Sequence, residues 1–170
     1  MRVAEWSNLT TLVVDVAVWG VIHASTGYIA HRIPAARLNH DTWLTRVRRW
    51  ERGGRVYEIV RIRRWKDSLP EAGAVFAGGV SKRSLAMRTR AGLEAFATET
   101  RRAEIGHWLA AAASPAFVLW NSPAVAIVMV VYGVGVNAPF IAIQRFNRAR
   151  IASALDRSAR RRDDVRRPIS

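Results

Sequence analysis

The chain contains no cysteine. Disulfides, thiolate catalysis and cysteine-ligated zinc are therefore excluded. Histidine is scarce too: His23, His31, His40 and His107 are the four, and none share the close spacing of metal ligands. No cofactor is expected. Acidic residues are few, 13 against 27 Lys and Arg, for a net charge of +14. No internal repeat is present, and no serine sits in a nucleophile elbow; Ser81, Ser84 and Thr100 all lack that setting. The run Gly78-Gly79-Val80-Ser81-Lys82 lacks the spacing of a phosphate-binding loop. Lys82 reads as a solvated or headgroup-facing lysine, or as a contact for phosphate or carboxylate.

What the chain does have is segregated. Hydrophobic residues make up 50% of its 170 positions, gathered in three long runs, while the charge lies between and after them. A soluble basic protein would mix the two, so the excess of arginine points to anionic lipid headgroups beside membrane spans and away from nucleic acid. One domain is expected over residues 1–156, with a basic, disordered tail at 157–170.

Leu9 to Ala30 forms the first apolar run, interrupted by Asp15 and His23. It is long enough to cross a bilayer, which takes about 20 helical residues. Ser7 or Asn8 is placed to cap its start, and Pro34 ends it. It lacks the basic start and cleavage site of a signal peptide, so it reads as a retained span. Asp15 is either paired near the interface or functional. A long connection follows; between residues 31 and 105 there are 17 Lys/Arg against 8 Asp/Glu. Within it, Trp43, Leu44, Val47 and Trp50 have helical spacing beside Arg46, Arg48 and Arg49, which predicts an amphipathic helix lying on the membrane surface and broken at Gly53-Gly54. Val56 to Arg63 alternates and reads as a short β-prone segment. Leu69 to Gly73 reads as turn-rich, and Arg83 to Gly106 as mostly helical.

The second apolar run, His107 to Trp120, is short for a span unless it borrows the helix before it, and Pro115 interrupts it. Asn121-Ser122-Pro123 marks a turn. Ala124 to Ile143 is the third run, 20 residues without a charge. The expectation is a mainly α, small integral membrane helical bundle of about three spans. It carries an interfacial amphipathic helix and a short β-prone cytoplasmic segment. Arginine then returns: residues 145–170 hold 9 Arg and 3 Asp. Charges beside the span ends place the long basic loop and the C-terminus in the cytoplasm of a multi-pass cell-membrane protein.

The boundary between the connection and the second apolar run carries the chemistry. On a helix, Leu93, Phe96, Ala97, Thr100, Glu104 and His107 share one face. A carboxylate and an imidazole on an apolar stripe are costly unless paired or used. Glu104 reads as part of a structural Glu–His or Glu–Arg pair closing the bundle, or His107 has a chemical role. Asn137, late in the third run, reads as a cross-helix hydrogen bond or a cavity-lining group.

Three words in the sequence resemble the glycosyl-4,4'-diaponeurosporenoate acyltransferases of carotenoid biosynthesis. They are Arg63-Arg64-Trp65-Lys66; Glu99-Thr100-Arg101-Arg102-Ala103-Glu104 with His107-Trp108; and Asn137-Ala138-Pro139 followed by Gln144-Arg145-Phe146-Asn147-Arg148-Ala149-Arg150. The resemblance runs from the first span to about residue 151. Phe146 replaces a usual tyrosine and Ala149 a frequent proline.

The resemblance implies a membrane enzyme that moves a fatty acyl group onto the C6 hydroxyl of a glucose esterified to a C30 carotenoid acid, the last step toward staphyloxanthin. The acceptor is then a glycosyl carotenoid or a related glycolipid, and the donor an acyl-CoA or another activated acyl group. On that reading the catalytic candidates are His107 as general base, Glu104 or Glu99 to orient it, and Asn137 as an oxyanion donor with Gln144, Arg145 and Asn147. Substrate-binding candidates are Arg64, Trp65, Lys66, Arg102, Gln144, Arg145, Asn147 and Arg148. Arginines 145, 148 and 150, with Arg63, Arg64 and Lys66, would meet donor phosphates or lipid headgroups. With no evident nucleophile, transfer would be direct. A non-catalytic lipid-binding or assembly subunit would share the same amphipathic and basic features.

Overall fold

Ser7 begins the first helix: its hydroxyl accepts from the Thr10 N–H at 3.1 Å, satisfying an end group that the helix itself leaves open. The computed structural model describes residues 6–69 and 89–166. Helix α1 runs Asn8–Arg32 and stops ahead of Pro34. A short α2, Ala35–Leu38, follows. A 3-10 helix spans Arg49–Glu58, and α3 is the single turn Ile62–Trp65. Helix α4, Arg90–Ala113, passes into a second 3-10 turn, Ser114–Leu119, and α5 runs Pro123–Arg166. The Lys82 contact, the Gly78-Gly79 pair, most of the turn-rich 69–73 stretch and the start of the expected 83–106 helix lie outside the described residues.

Among the described residues two helices, not three, are long and apolar enough to cross a membrane: α1 and α5. The second apolar run fails for a local reason. Helix α4 brings Arg90, Glu94, Glu99, Arg101, Arg102 and Glu104 with it, and its apolar end is cut short at Ser114-Pro115. Proline supplies no N–H to continue the ladder, and the chain tightens into the 3-10 turn.

The β-prone segment is also absent, and no strand occurs among the described residues. Val56–Arg63 has no partner edge to pair with. It closes the 3-10 helix and turns into α3 through Arg61, which takes a left-handed φ of 50°. Ile62 is thereby driven fully under Ile143 and Phe146. The surface helix expected at Trp43–Trp50 is replaced by a turn in which Thr42 and Thr45 exchange hydrogen bonds with each other's backbone N–H groups, at 3.1 and 3.3 Å. Threonine side chains compete with helical hydrogen bonding in this way. Gly53-Gly54 does not break an element but lies within the 3-10 helix, at φ 71° and 75°. Helix α5 continues past residue 157 as far as Arg166.

Three residues per turn put Glu51, Gly54 and Tyr57 on one face of the 3-10 helix, and that face meets α5. A Cβ at Gly54 would stand 2.8 Å from the Phe146 ring, and the Tyr57 ring meets Phe146 edge-on at 6.3 Å. Helix α4 lies against both α1 and α5 and runs opposite to α1. Its Arg102 reaches the carbonyls of Ala30, His31 and Ile33, its Gly106 packs on Ala30, and Phe117 beyond it stacks on Trp19 at 4.9 Å. Trp120 and Asn121 close the far end by donating to Asp15 at 2.8 and 2.9 Å.

The remaining faces of α1 and α5 are apolar and open. Leu9, Leu12, Val13, Val16 and Val21 on α1, and Ile127, Val128, Val131 and Val134 on α5, are all exposed. A soluble protein does not leave contiguous patches of this kind uncovered. The apolar part of α5, Pro123 to Ile143, rises about 31 Å, close to the thickness of a bilayer core of about 30 Å.

Candidate active site

Helix α4 carries its functional side chains on the stripe that faces α5. Phe96, Ala97, Thr100 and Glu104 are buried along it, and His107 follows one turn on. The His107 ring stacks on Phe140 with centroids 4.6 Å apart, and its Nδ1 lies 2.9 Å from Asn137 Oδ1. The Asn137 Nδ2 donates to the Gly133 carbonyl at 2.8 Å, so the amide oxygen is the end turned to the ring. An amide oxygen only accepts; Nδ1 therefore carries the proton, and Nε2 holds a free lone pair. Burial lowers the His107 pKa below its usual 6.5, and the nearby His23 pushes the same way, while the Asn137 bond opposes them. His107 is on α4, outside the two helices long and apolar enough to cross a membrane, and a pKa lowered from 6.5 leaves it neutral near pH 7.

Glu104 does not orient this ring. It is fully buried and accepts from Arg145 Nη1 at 2.7 Å, from the Arg148 Nη2 and from the Trp108 indole at 3.2 Å. The Arg145 Nε and Nη2 then grip Glu51 at 2.6 and 2.7 Å, and its Nη groups reach the carbonyls of Leu44 and Arg46. Arg145 thus clasps the 42–58 arch to α4. Burial alone would raise the Glu51 pKa. The Arg145 and Tyr57 hydrogen bonds and the Arg48 N–H at 2.7 Å outweigh it and hold the carboxyl below its ordinary value. Burial, joined by the hydrogen bond to Glu51, pushes the Tyr57 phenol well above its ordinary range.

The other candidates divide. Glu99 pairs with Arg102 at 3.1 Å, and Arg102 caps the C-terminal carbonyls of α1; both are structural braces there. Trp65 packs on the Ile62–Ile143–Phe146 cluster and donates to the Val60 carbonyl at 2.8 Å. Lys66 pairs with Asp67 at 2.5 Å, and Arg64 is exposed. Gln144 and Asn147 are half-buried on α5, without a side-chain hydrogen bond among the described residues. Arg148 is only 2% exposed, and its Nε and Nη1 have no partner among the described residues.

Glu51 and Tyr57 went unnoticed in the sequence. The only signal was a lone acid in an arginine-rich stretch, 94 residues from its partner. Among the described residues no cluster of potential metal ligands occurs.

Two open apolar helices, with α4 and its His107–Asn137 pair packed against them, describe a membrane-associated protein. The chain belongs to the glycosyl-4,4'-diaponeurosporenoate acyltransferase family, whose profile matches residues 40–157. It is 27% identical over 148 residues to the glycosyl-4,4'-diaponeurosporenoate acyltransferase of Staphylococcus haemolyticus, covering 86% of this chain and 85% of that one. It is 24% identical over 139 residues to the enzyme of the same name from Staphylococcus aureus strain USA300, covering 81% and 83%. No solved structure matches the chain.

Proposed function

We propose that this acyltransferase moves an acyl group from a thioester donor of the acyl-CoA type to a sugar hydroxyl, the C6 hydroxyl of a glucose, on a glycosyl carotenoid or related glycolipid. The observation that carries this reading is the His107–Asn137 pair. Its Nδ1 is held at 2.9 Å, so the opposite nitrogen is free to take the hydroxyl proton. Asn137 does for this ring what a carboxylate does in a triad, without placing a second buried charge beside it.

No nucleophile stands in the same cluster, and transfer is direct. Arg148 supplies two buried nitrogens, unpaired among the described residues, for the phosphates of the donor, with Gln144 and Asn147 on the same side of α5. Arg64 and Lys66 offer further positive charge. Helices α1 and α5 are the membrane-embedded elements, with the arginine-rich segments that follow each of them at its surface. The hydrophobic acceptor enters from the lipid, and the basic flanks rest on anionic headgroups.

The test is lipid and pigment mass spectrometry of the host with the gene deleted, then restored with the intact chain or with His107→Ala. The expected result is loss of an acylated glycosyl lipid, accumulation of its unacylated form, and rescue by the intact chain alone. Equal rescue by His107→Ala would sink the base assignment. A deletion that changes no acylated species would favour a non-catalytic lipid-binding subunit.

A further inference from the structure

Direct acyl transfer requires a donor to the carbonyl oxygen as charge develops on it, and the obvious candidates are engaged elsewhere. Asn137 Nδ2 is bound to the Gly133 carbonyl, and Arg145 is held by Glu51, Glu104 and two backbone carbonyls. Gln144 and Asn147 lie about 10 Å and 15 Å further along α5 from Asn137.

Helix α1 offers another group. Trp19, His23, Thr26 and Ala30 recur every three or four residues and so share a face. That face is turned to α4: a Cβ on Gly106 would stand 3.3 Å from the Ala30 Cβ and 3.7 Å from the Thr26 carbonyl. Since the two helices run in opposite directions, His23 lies on the His107 side of that contact, about one turn before Thr26 on α1. The His23 ring stacks on Trp19 with centroids 5.5 Å apart. It is half-buried and makes no hydrogen bond among the described residues. The proximity is also felt electrostatically, because His23 helps to depress the His107 pKa.

We infer that His23 donates a hydrogen bond to the acyl carbonyl oxygen, facing His107 across the reacting atoms. The inference rests on the acyl-transfer reading above. The sugar O–H gives its proton to His107 Nε2 as the sugar oxygen bonds to the acyl carbon. The carbonyl electron pair moves onto its oxygen, which the His23 N–H holds. Collapse of that intermediate restores the carbonyl and expels the thiolate of the thioester, which takes the proton back from His107. The products are the sugar ester and the free thiol.

The test uses the full chain in lipid nanodiscs with acyl-CoA and a glycosyl carotenoid, comparing His23→Ala, His23→Gln and His107→Ala. Loss of one oxyanion donor lowers kcat by about 100- to 1000-fold. His23→Ala is expected to show that loss with KM little changed and a thermal melt like the parent. His23→Gln keeps an N–H donor and is expected to recover most of kcat. In both variants the acid limb of the rate profile moves to higher pH, because a neighbour that depresses His107 is gone. His23→Ala with the parent kcat overturns the inference, and if His107→Ala is then inactive, the acyl-transfer reading still stands. His23→Gln as slow as a folded His23→Ala also overturns it. A parent rate in His107→Ala defeats the base assignment itself.

Discussion

His107 and Asn137 are joined across the α4–α5 contact by one hydrogen bond, 2.9 Å from Nδ1 to Oδ1. If His107 is the base, removing the imidazole costs the general-base contribution, about 100- to 10,000-fold in kcat. Asn137→Ala leaves the base present but free to adopt the wrong tautomer, and a smaller loss is expected. Asn137→Asp should retain more activity than Asn137→Ala, because a carboxylate still accepts from Nδ1. Single-turnover rates for the three variants check this order.

The pH profile follows from the burial of the same ring. A base works only when neutral, and the His107 pKa lies below 6.5. The groups that bear on it are His23 from α1 and Asn137 from α5. Activity is therefore expected to be full above pH 6.5 and to fall only as pH drops through the depressed value. A pH–rate profile with its acid limb above 6.5 would contradict a neutral, buried base.

The Glu104 carboxylate is a question of stability. Glu104→Ala leaves the buried Arg148 and the half-buried Arg145 with a partner gone, and the expected loss is about 3–5 kcal/mol. Arg145→Lys removes the fork that grips Glu51 with two nitrogens and should loosen the 42–58 arch. Thermal melts and limited proteolysis near Gly53-Gly54 read out these two effects.

Glu51 adds an acid dependence. Its folded pKa lies below the unfolded value, so its contribution is fully present above about pH 4.5 and is lost as pH falls through the lowered value. Glu51→Gln should remove that part of the acid sensitivity of the melt while lowering stability at neutral pH. An unchanged acid dependence in Glu51→Gln would place the sensitivity elsewhere.

Gly54 has no room for a side chain. Its φ is 75°, and a Cβ would press on Phe146 at 2.8 Å. Gly54→Ala should cost about 1–3 kcal/mol, because both the backbone and the ring beneath it must shift. Gly53 has a similar φ and no atom within 4 Å, so Gly53→Ala carries the backbone part alone. The difference between the two melts isolates the clash.

The sequence was most legible where its signal was local. The 20-residue uncharged run reads as a span at sight, the Asn121-Ser122-Pro123 turn starts α5 as expected, and the Glu104–His107 stripe is a face of α4. Contacts between distant segments were not legible. Nothing near Glu104 says that its partners are Arg145 and Arg148, or that Arg145 also reaches back to Glu51. The alternation in Val56–Arg63 misled because a strand needs an edge to pair with, which periodicity cannot report. The second apolar run reads as short and interrupted by Pro115, and it counts as a span only by borrowing the helix before it, which brings its charged residues with it. Asn137 reads as a cross-helix hydrogen bond or an oxyanion donor; its oxygen makes the cross-helix bond to His107, and its nitrogen is bound to the Gly133 carbonyl.

Helix α5 can also be considered as a mechanical part. It is pinned on one side at Gly133, where Trp19 and Ser114 press so closely that a Cβ would stand 2.6 Å from one and 2.7 Å from the other. It is pinned on the other side at Arg145, gripped by two carboxylates. Between the pins lies Pro139, which offers no N–H to the Gly135 carbonyl one turn earlier. That turn is the compliant joint in an otherwise stiff rod, and Asn137 sits inside it. A bend of α5 at that turn would carry Asn137 with it, and so the hydrogen bond to His107 Nδ1.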